Sequence, residues 1–410
     1  MIMKKLMASL LLLCLVLSVT IVSALAETTI TFAFWDKNQE PGMQAIADAY
    51  MAAHPDVKIE LQHNGWGEYW TVLEATAIGG GMPDVFWIHS NEFFKYASAG
   101  TLLSLDDLDL DYSPYPAGVT ALYNYKGQQL AVPKDYDTIA LAYNKEIFDA
   151  AGVAYPDDTW DWAKLREVAI ALTDAEAGVY GFAAPQDTQS GYYNFVYQNG
   201  GFIFENGVPG FDQEATQEAL QFYVDLMLVD GVSPDVASFG DLSANDQFKN
   251  GKVAMILVGS WNMSDWTSND FIKDKFDLAV LPQGKARASI YNGLGYAVAG
   301  NSANPDVAKD FAAFCGSEEA NILQAKAKSA IPAYAGTEHY FVDLFTKINI
   351  GAYPEMIEYG VQFPFGPFKS LWAPEETEWI STIYSGENSV ADACNALNAK
   401  IIEIEAEWAE

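Results

Sequence analysis

The sequence predicts an α/β fold, and three observations carry that expectation. From residue 29 onward the strand and helix signals alternate in the order β-α-β-α-β. The third of those strands, Val85-Phe-Trp-Ile88, is apolar throughout, as suits a parallel strand covered on both faces. The chain has 410 residues, half of them hydrophobic, which is more than one ordinary core holds and points to about two domains.

Each element has its own signal. Ile30, Phe32 and Phe34 alternate as in a strand. Met43, Ile46, Ala47, Tyr50 and Met51 then recur at helical spacing, and Pro55 ends that helix. Val57, Ile59 and Leu61 form a second alternating strand, and a further helical stretch closes in Gly79-Gly80-Gly81 before Val85. Leu130 to Pro133 and Ile139 to Tyr143 are strand-like, in the same style as the first segment. Thr159 is expected to cap a helix carrying Leu165, Val168, Ala169 and Leu172. Ala219, Phe222, Tyr223 and Leu226 share one helical face, and Val253 to Val258 reads as a buried strand running into Gly259-Ser260-Trp261. From Val307 the pattern is mostly helical, ending in an amphipathic stretch from Val390 to Trp408. Clusters of Pro, Gly and Asp at 133–137, 282–293 and 331–336 are candidate crossings between two lobes.

Composition removes several functions. A net charge of −33, from 22 basic and 55 acidic residues, argues against nucleic acid and anionic membrane surfaces, whose phosphates are held by clustered Lys and Arg. Lys4 and Lys5, the apolar run from Leu6 to Val22 and Ala24-Leu25-Ala26 make residues 1–26 a signal peptide cleaved after Ala26. Retention as an uncut membrane anchor, or lipidation at Cys14, are the alternatives. Cys315 and Cys394 fall on apolar helix faces and read as small buried hydrophobes. His54, His63, His89 and His339 lack metal-ligand spacing, so no metal and no cofactor is expected. Asp107, Asp109 and Asp111 alternate like the start of a calcium loop. However, Tyr112 and Gly118 stand where that loop needs glycine and glutamate, so a solvated turn is expected. No nucleophile elbow, phosphate loop or dinucleotide fingerprint is present. A glycosidase needs two carboxylates facing one bond, and the acidic residues leave that enzyme alternative open.

Several segments, taken in order, resemble the extracellular solute-binding proteins of sugar ATP-binding-cassette importers, the maltose-binding-protein-like family. They are Trp35 with Pro55-Asp-Val-Lys-Ile59, Gly80-Gly-Met-Pro-Asp-Val85, Ala99-Gly-Thr-Leu102 and Tyr125-Lys-Gly-Gln-Gln-Leu-Ala-Val-Pro133. Tyr143-Asn-Lys-Glu-Ile-Phe148, Ala151-Gly152, Thr159-Trp-Asp161, Asn250-Gly-Lys-Val-Ala-Met255 and Gly259-Ser-Trp261 continue the series. The resemblance implies a two-lobe periplasmic-binding-protein-like fold of type II with three crossing segments. Residues 27–135 and 292–331 would form lobe one and 138–288 and 337–410 lobe two, with crossings at 136–137, 289–291 and 332–336. It further implies a monomer without catalytic activity that captures a neutral mono- or oligosaccharide and hands it to membrane permease subunits. A glycan-active enzyme and a surface lectin without lobe closure are the competing classes.

A sugar offers apolar ring faces and a belt of hydroxyls, which suit indole or phenol faces and carboxylates or amides respectively. Ligands of open α/β sheets sit at the carboxyl ends of strands, so residues just past strand ends come first. Trp35 and Trp66 meet that test, with core aromatics as the alternative. Asn91 and Glu92 follow the Val85 strand where the family places polar sugar contacts, although Ser90 or Asn91 could instead cap the next helix. One of Asp135 and Asp137 is expected to hold a hydroxyl at the first crossing, an Asp-stabilised hinge turn being the alternative. By resemblance, Tyr192, Tyr193, Trp261 and Trp372 supply stacking rings, and Asn292 and Gly293 contacts at the second crossing. Trp160 and Trp162 are assigned to the core.

Overall fold

The computed structural model describes residues 28–364 and 369–409; the expected signal segment, the expected cleavage after Ala26 and Cys14 lie outside these. The first segment folds as its alternation demands. Strands β1 (Thr28–Phe34), β2 (Val57–His63) and β3 (Val85–His89) are joined by helices α1 (Glu40–Ala53) and α2 (Trp66–Gly79), and both β2 and β3 run parallel to β1. Every residue of β3 is buried, because helices cover both faces of this sheet. Ile30, Phe32 and Phe34 turn to one side, where Phe32 meets Phe311 edge-on at 5.3 Å. Helix α3 (Ser90–Ser98) leaves directly from the end of β3.

Two strands then cross between lobes. β4 (Ala131–Asp137) runs on into β5 (Ile139–Asn144), and β8 (Ser289–Val298) returns beside it. β8 pairs antiparallel with both β4 and β3, so it belongs to the first sheet while beginning in the second lobe. A register shift between Leu294 and Gly295 marks a bulge opposite Lys134, and Pro133, which has no N–H to give a ladder, is accommodated there. A third segment runs alongside, with Asp135 bridged to Pro332 and the Ala333 N–H donating to the Lys134 carbonyl at 3.2 Å.

The second lobe departs from the first in its pairing. β5 lies between β6 (Met255–Gly259) and β7 (Phe276–Ala279), antiparallel to both, and residues 180 and 183 add isolated parallel bridges to 253 and 256. The chain enters this lobe along β5 itself, so its strands pair around that entry and do not repeat the parallel winding of lobe one. Helix α4 (Trp162–Leu172) is capped by Asp161, whose carboxylate accepts the Lys164 N–H at 2.8 Å. Thr159, the expected cap, is instead held by Asp157. Helices α5 (Tyr193–Gln198), α6 (Glu214–Leu228), α7 (Pro305–Gly316), α8 (Lys369–Tyr384) and α9 (Val390–Ala409) complete the layers that concern the site. Cys315 and Cys394 are free and buried. Among the described residues no helix is long and apolar enough to cross a membrane.

Candidate functional site

Between the lobes lies a cavity of about 790 Å³, within the usual range for a small-molecule site. Lobe one lines it with Trp35, Trp66, His89 and Asn91, the crossing strand with Asp135 and Asp137, and lobe two with Thr188 to Ser190 and Ser260 to Asn262.

The lobe-one wall is aromatic. Trp35, one residue past β1, stands edge-on to Trp66, Tyr69 and Trp87, each with centroids 5.1 Å away. Trp66 begins α2 and remains 49% exposed, which leaves an indole surface open to a ligand. His89 completes the wall at 5.5 Å from Trp66. Its Nδ1 accepts the Asn91 N–H at 3.2 Å, so His89, and neither Ser90 nor Asn91, caps α3. That bond assigns the ring proton to Nε2. Burial lowers the imidazole pKa to about 4, which keeps the ring neutral at ordinary pH.

Trp261 forms the opposite wall. It follows β6, and its six-membered ring lies on the backbone of Gly259, where a Cβ would come within 1.9 Å of ring carbon Cζ3. The glycine of the Gly-Ser-Trp segment is thus required by the ring laid against it.

The floor is polar. Lys134 is fully buried, donates to Asp135 Oδ2 at 2.5 Å and to Gln39 Oε1 at 2.8 Å, and lies 4.3 Å from the centre of the Trp87 ring. Asp135 Oδ1 accepts the Leu294 N–H at 3.0 Å, so both of its oxygens are engaged. Asp137 Oδ1 accepts from Gln189 Nε2 at 2.5 Å and from the Asn292 N–H at 3.2 Å. Burial, and next the charge of Asp135, push the Asp137 carboxyl up to about 8. The two carboxylates named from sequence therefore differ: Asp135 is consumed by the fold, while Asp137 is half-buried on the cavity floor.

Of the residues named from sequence, Trp35, Trp66, Asn91, Asp135, Asp137 and Trp261 meet at this cavity. The others do not line it. Glu92 points away, half-buried beside Lys95 and Glu74, with its carboxyl raised by burial. Gly293 is buried between the crossing strands, where a Cβ would lie 2.8 Å from the Asp135 carbonyl oxygen. Asn292 is 0% exposed and contacts Asn91 and Gln189, which do face the cavity. Tyr192 and Tyr193 are also buried, both donating their hydroxyls to Glu376 at 2.8 and 2.7 Å. Lys369 salt-bridges Glu376 at 2.8 Å and sits 3.8 Å over the Trp372 ring, which is 1% exposed. These three aromatics therefore enclose a buried ion pair. The sequence reading missed His89, Gln189, Asn262 and Asp265; Asn262 adjoins the Gly-Ser-Trp segment, but a histidine cap and a π-turn glutamine carry no sequence signature.

A family model described as bacterial extracellular solute-binding protein matches residues 36–322. A maltotriose-binding protein of Pyrococcus abyssi is 29% identical over 256 residues, 60% of this chain and 51% of that protein. An arabinooligosaccharide-binding protein of Halalkalibacterium halodurans is 27% identical over 61% of this chain and 58% of its own length. The match thus spans about half to three-fifths of these two relatives. In structure the chain is similar to an ABC substrate-binding protein from Listeria monocytogenes in complex with cycloalternan. That likeness has a TM-score of 0.86 at 24% identity and covers 93% of this chain and 99% of the other, which establishes the two-lobe fold.

Proposed function

The chain belongs to the bacterial extracellular solute-binding proteins, and from that premise we propose that it captures a neutral oligosaccharide between its lobes and delivers it to the permease of an ABC importer. The observation that carries this reading is the facing of indoles from both lobes, Trp35 and Trp66 against Trp261, across a polar floor. Rings of that kind cover the apolar faces of sugars, and the floor's amides and carboxyl exchange hydrogen bonds with hydroxyls. Charge favours an uncharged ligand. Among the described residues the cations beside the cavity are paired, Lys134 with Asp135 and Lys249 with Asp246 and Asp265, so an anionic ligand would face carboxylates whose counter-charges are already engaged. Relatives whose names specify maltotriose and arabinooligosaccharides support the same class. The proposed role is binding without chemistry, in an exported protein acting as a monomer after removal of residues 1–26.

A thermal-shift and calorimetric screen against maltotriose, arabinotriose and other neutral oligosaccharides tests the proposal. A ligand present at about 100 times its Kd stabilises the fold by about 2.7 kcal/mol, a readily measured shift. The reading predicts such a shift and an unaltered sugar after long incubation. No shift with any neutral sugar, or release of new reducing ends, would overturn it.

A further inference from the structure

Asn292 lies on β8 opposite Asp137 and is wholly inaccessible to solvent. Its amide nevertheless reaches in three directions. Nδ2 donates to Asn91 Oδ1 at 3.2 Å and to Gln189 Oε1 at 3.4 Å. Oδ1 accepts from the Ser90 hydroxyl and from the Gly293 N–H at 3.0 Å. Its own N–H donates to Asp137 Oδ1, the oxygen that also receives Gln189 Nε2. Ser90 and Asn91 open α3 in lobe one, Gln189 sits in a π-turn over Thr188–Tyr192 in lobe two, and Asp137 and Asn292 lie on the crossing strands. One buried side chain, with both amide hydrogens and both carbonyl lone pairs in use, joins all three bodies.

We propose that Asn292 is a positioning residue, an interlobe keystone that sets the width of the cleft and the direction in which the Asn91 and Gln189 amides face. Its Nδ2 is a donor to both neighbours, so the oxygen of each turns toward it. That leaves the Asn91 amino group for the cleft and directs the Gln189 amino group to Asp137. Asp137 Oδ1 takes both of its bonds from this network, so Oδ2 is the oxygen offered to a ligand. A buried amide removed from such a network leaves its partners desolvated and unpaired, which opposes the closed arrangement of all three bodies together. The width is a property of the protein alone; only the pattern offered to a ligand rests on the sugar-binding reading.

Interlobe distance measures it directly. Ile78 in lobe one and Phe271 in lobe two are 86% and 72% exposed, and Cys315 and Cys394 are buried, so in protein lacking residues 1–26, and with them Cys14, spin labels at Ile78→Cys and Phe271→Cys report the separation. Asn292→Asp keeps the shape and replaces the double donor by an acceptor. Gln189→Met leaves Asn292 intact and cuts both polar links to lobe two, the one from Asn292 and the one to Asp137 that the same network orients. In sugar-free protein, double electron–electron resonance should show both distance distributions broadened and shifted from the wild-type mean, with circular dichroism confirming the fold. Wild-type distributions in the folded variants would overturn the keystone, and if Asn292→Asp does not fold, Gln189→Met decides. A wild-type distance that fails to respond to maltotriose bears on the sugar reading and leaves this comparison intact.

Discussion

Removing Glu376 should cost the fold several kcal/mol although the residue does not line the cavity. Its carboxylate accepts from the hydroxyl of Tyr192 at 2.8 Å, from that of Tyr193 at 2.7 and 2.9 Å, and from Lys369 Nζ at 2.8 Å. The side chains of Lys369 and Glu376 are 7% and 3% exposed. In Glu376→Ala the ammonium retains the Tyr193 hydroxyl and the Trp372 face but loses its counter-ion, and two phenol hydroxyls lose an acceptor. Breaking a buried pair from one side costs about 3 to 5 kcal/mol. The stranded hydroxyls add to this only in part, because the groups act as one network. For lobes of this size, about 4 kcal/mol corresponds to a midpoint lowered by about 8 to 16 °C. The assay is thermal unfolding followed by near-ultraviolet circular dichroism, with urea unfolding as a second measure. Glu376→Gln combined with Lys369→Met removes both charges and keeps an acceptor for the tyrosines, so it should be markedly more stable than Glu376→Ala. A loss below about 1 kcal/mol in the single variant, or a double variant no better than it, would refute the reasoning.

Three further outcomes follow from the site. Trp261→Ala should weaken oligosaccharide binding by about 1 kcal/mol, roughly fivefold by calorimetry, with the fold retained; equal affinity would remove Trp261 from the site. Asp137 is held neutral in the fold, so its contribution to stability is complete below the free carboxylate value near 4 and is lost as pH rises through about 8. Asp137→Asn should therefore flatten the fall in urea midpoint between about pH 4 and 8, and an unchanged slope would count against burial as the cause. Gly293→Ala puts a Cβ 2.8 Å from the Asp135 carbonyl oxygen, and spreading the crossing strands should cost about 1 to 3 kcal/mol in thermal unfolding. A neutral result would mean that the strands yield freely.

Lobe one was legible because its pairing is local: β1, β2 and β3 follow one another with a helix between each, and parallel neighbours are what that order produces. The pairing of β5 with β6 was not, since alternation along Ile139–Asn144 says nothing about a partner at Met255–Gly259. At the cavity, Trp35, Asn91 and Trp261 all follow strand ends, a matter of backbone position, and for Asn91 and Trp261 the family resemblance pointed to the same residues. Tyr192, Tyr193 and Trp372 were misplaced because a stacking ring and a core ring are the same residue type. The distinguishing fact, a lysine and a glutamate seven positions apart on one helix face, lay in the sequence as Lys369 and Glu376.

Two aspartates two positions apart on one strand likewise meet different fates. Asp135 and Asp137 alternate to one face of β4, as strand geometry requires, and sequence alone treats them as equivalent. The bulge at Lys134 breaks that equivalence. It inserts an unpaired residue between Pro133 and Asp135, and the lysine turned inward there meets the Trp87 face, Gln39 and Asp135. Asp135 thereby gains a charge partner and is spent on the hinge. Asp137, beyond the bulge, receives only neutral donors from Gln189 and Asn292 and carries the raised pKa. A single extra residue in the ladder thus divides two like carboxylates into a structural one and one available to a ligand, and Lys134→Met should erase the difference by leaving Asp135 desolvated and unpaired.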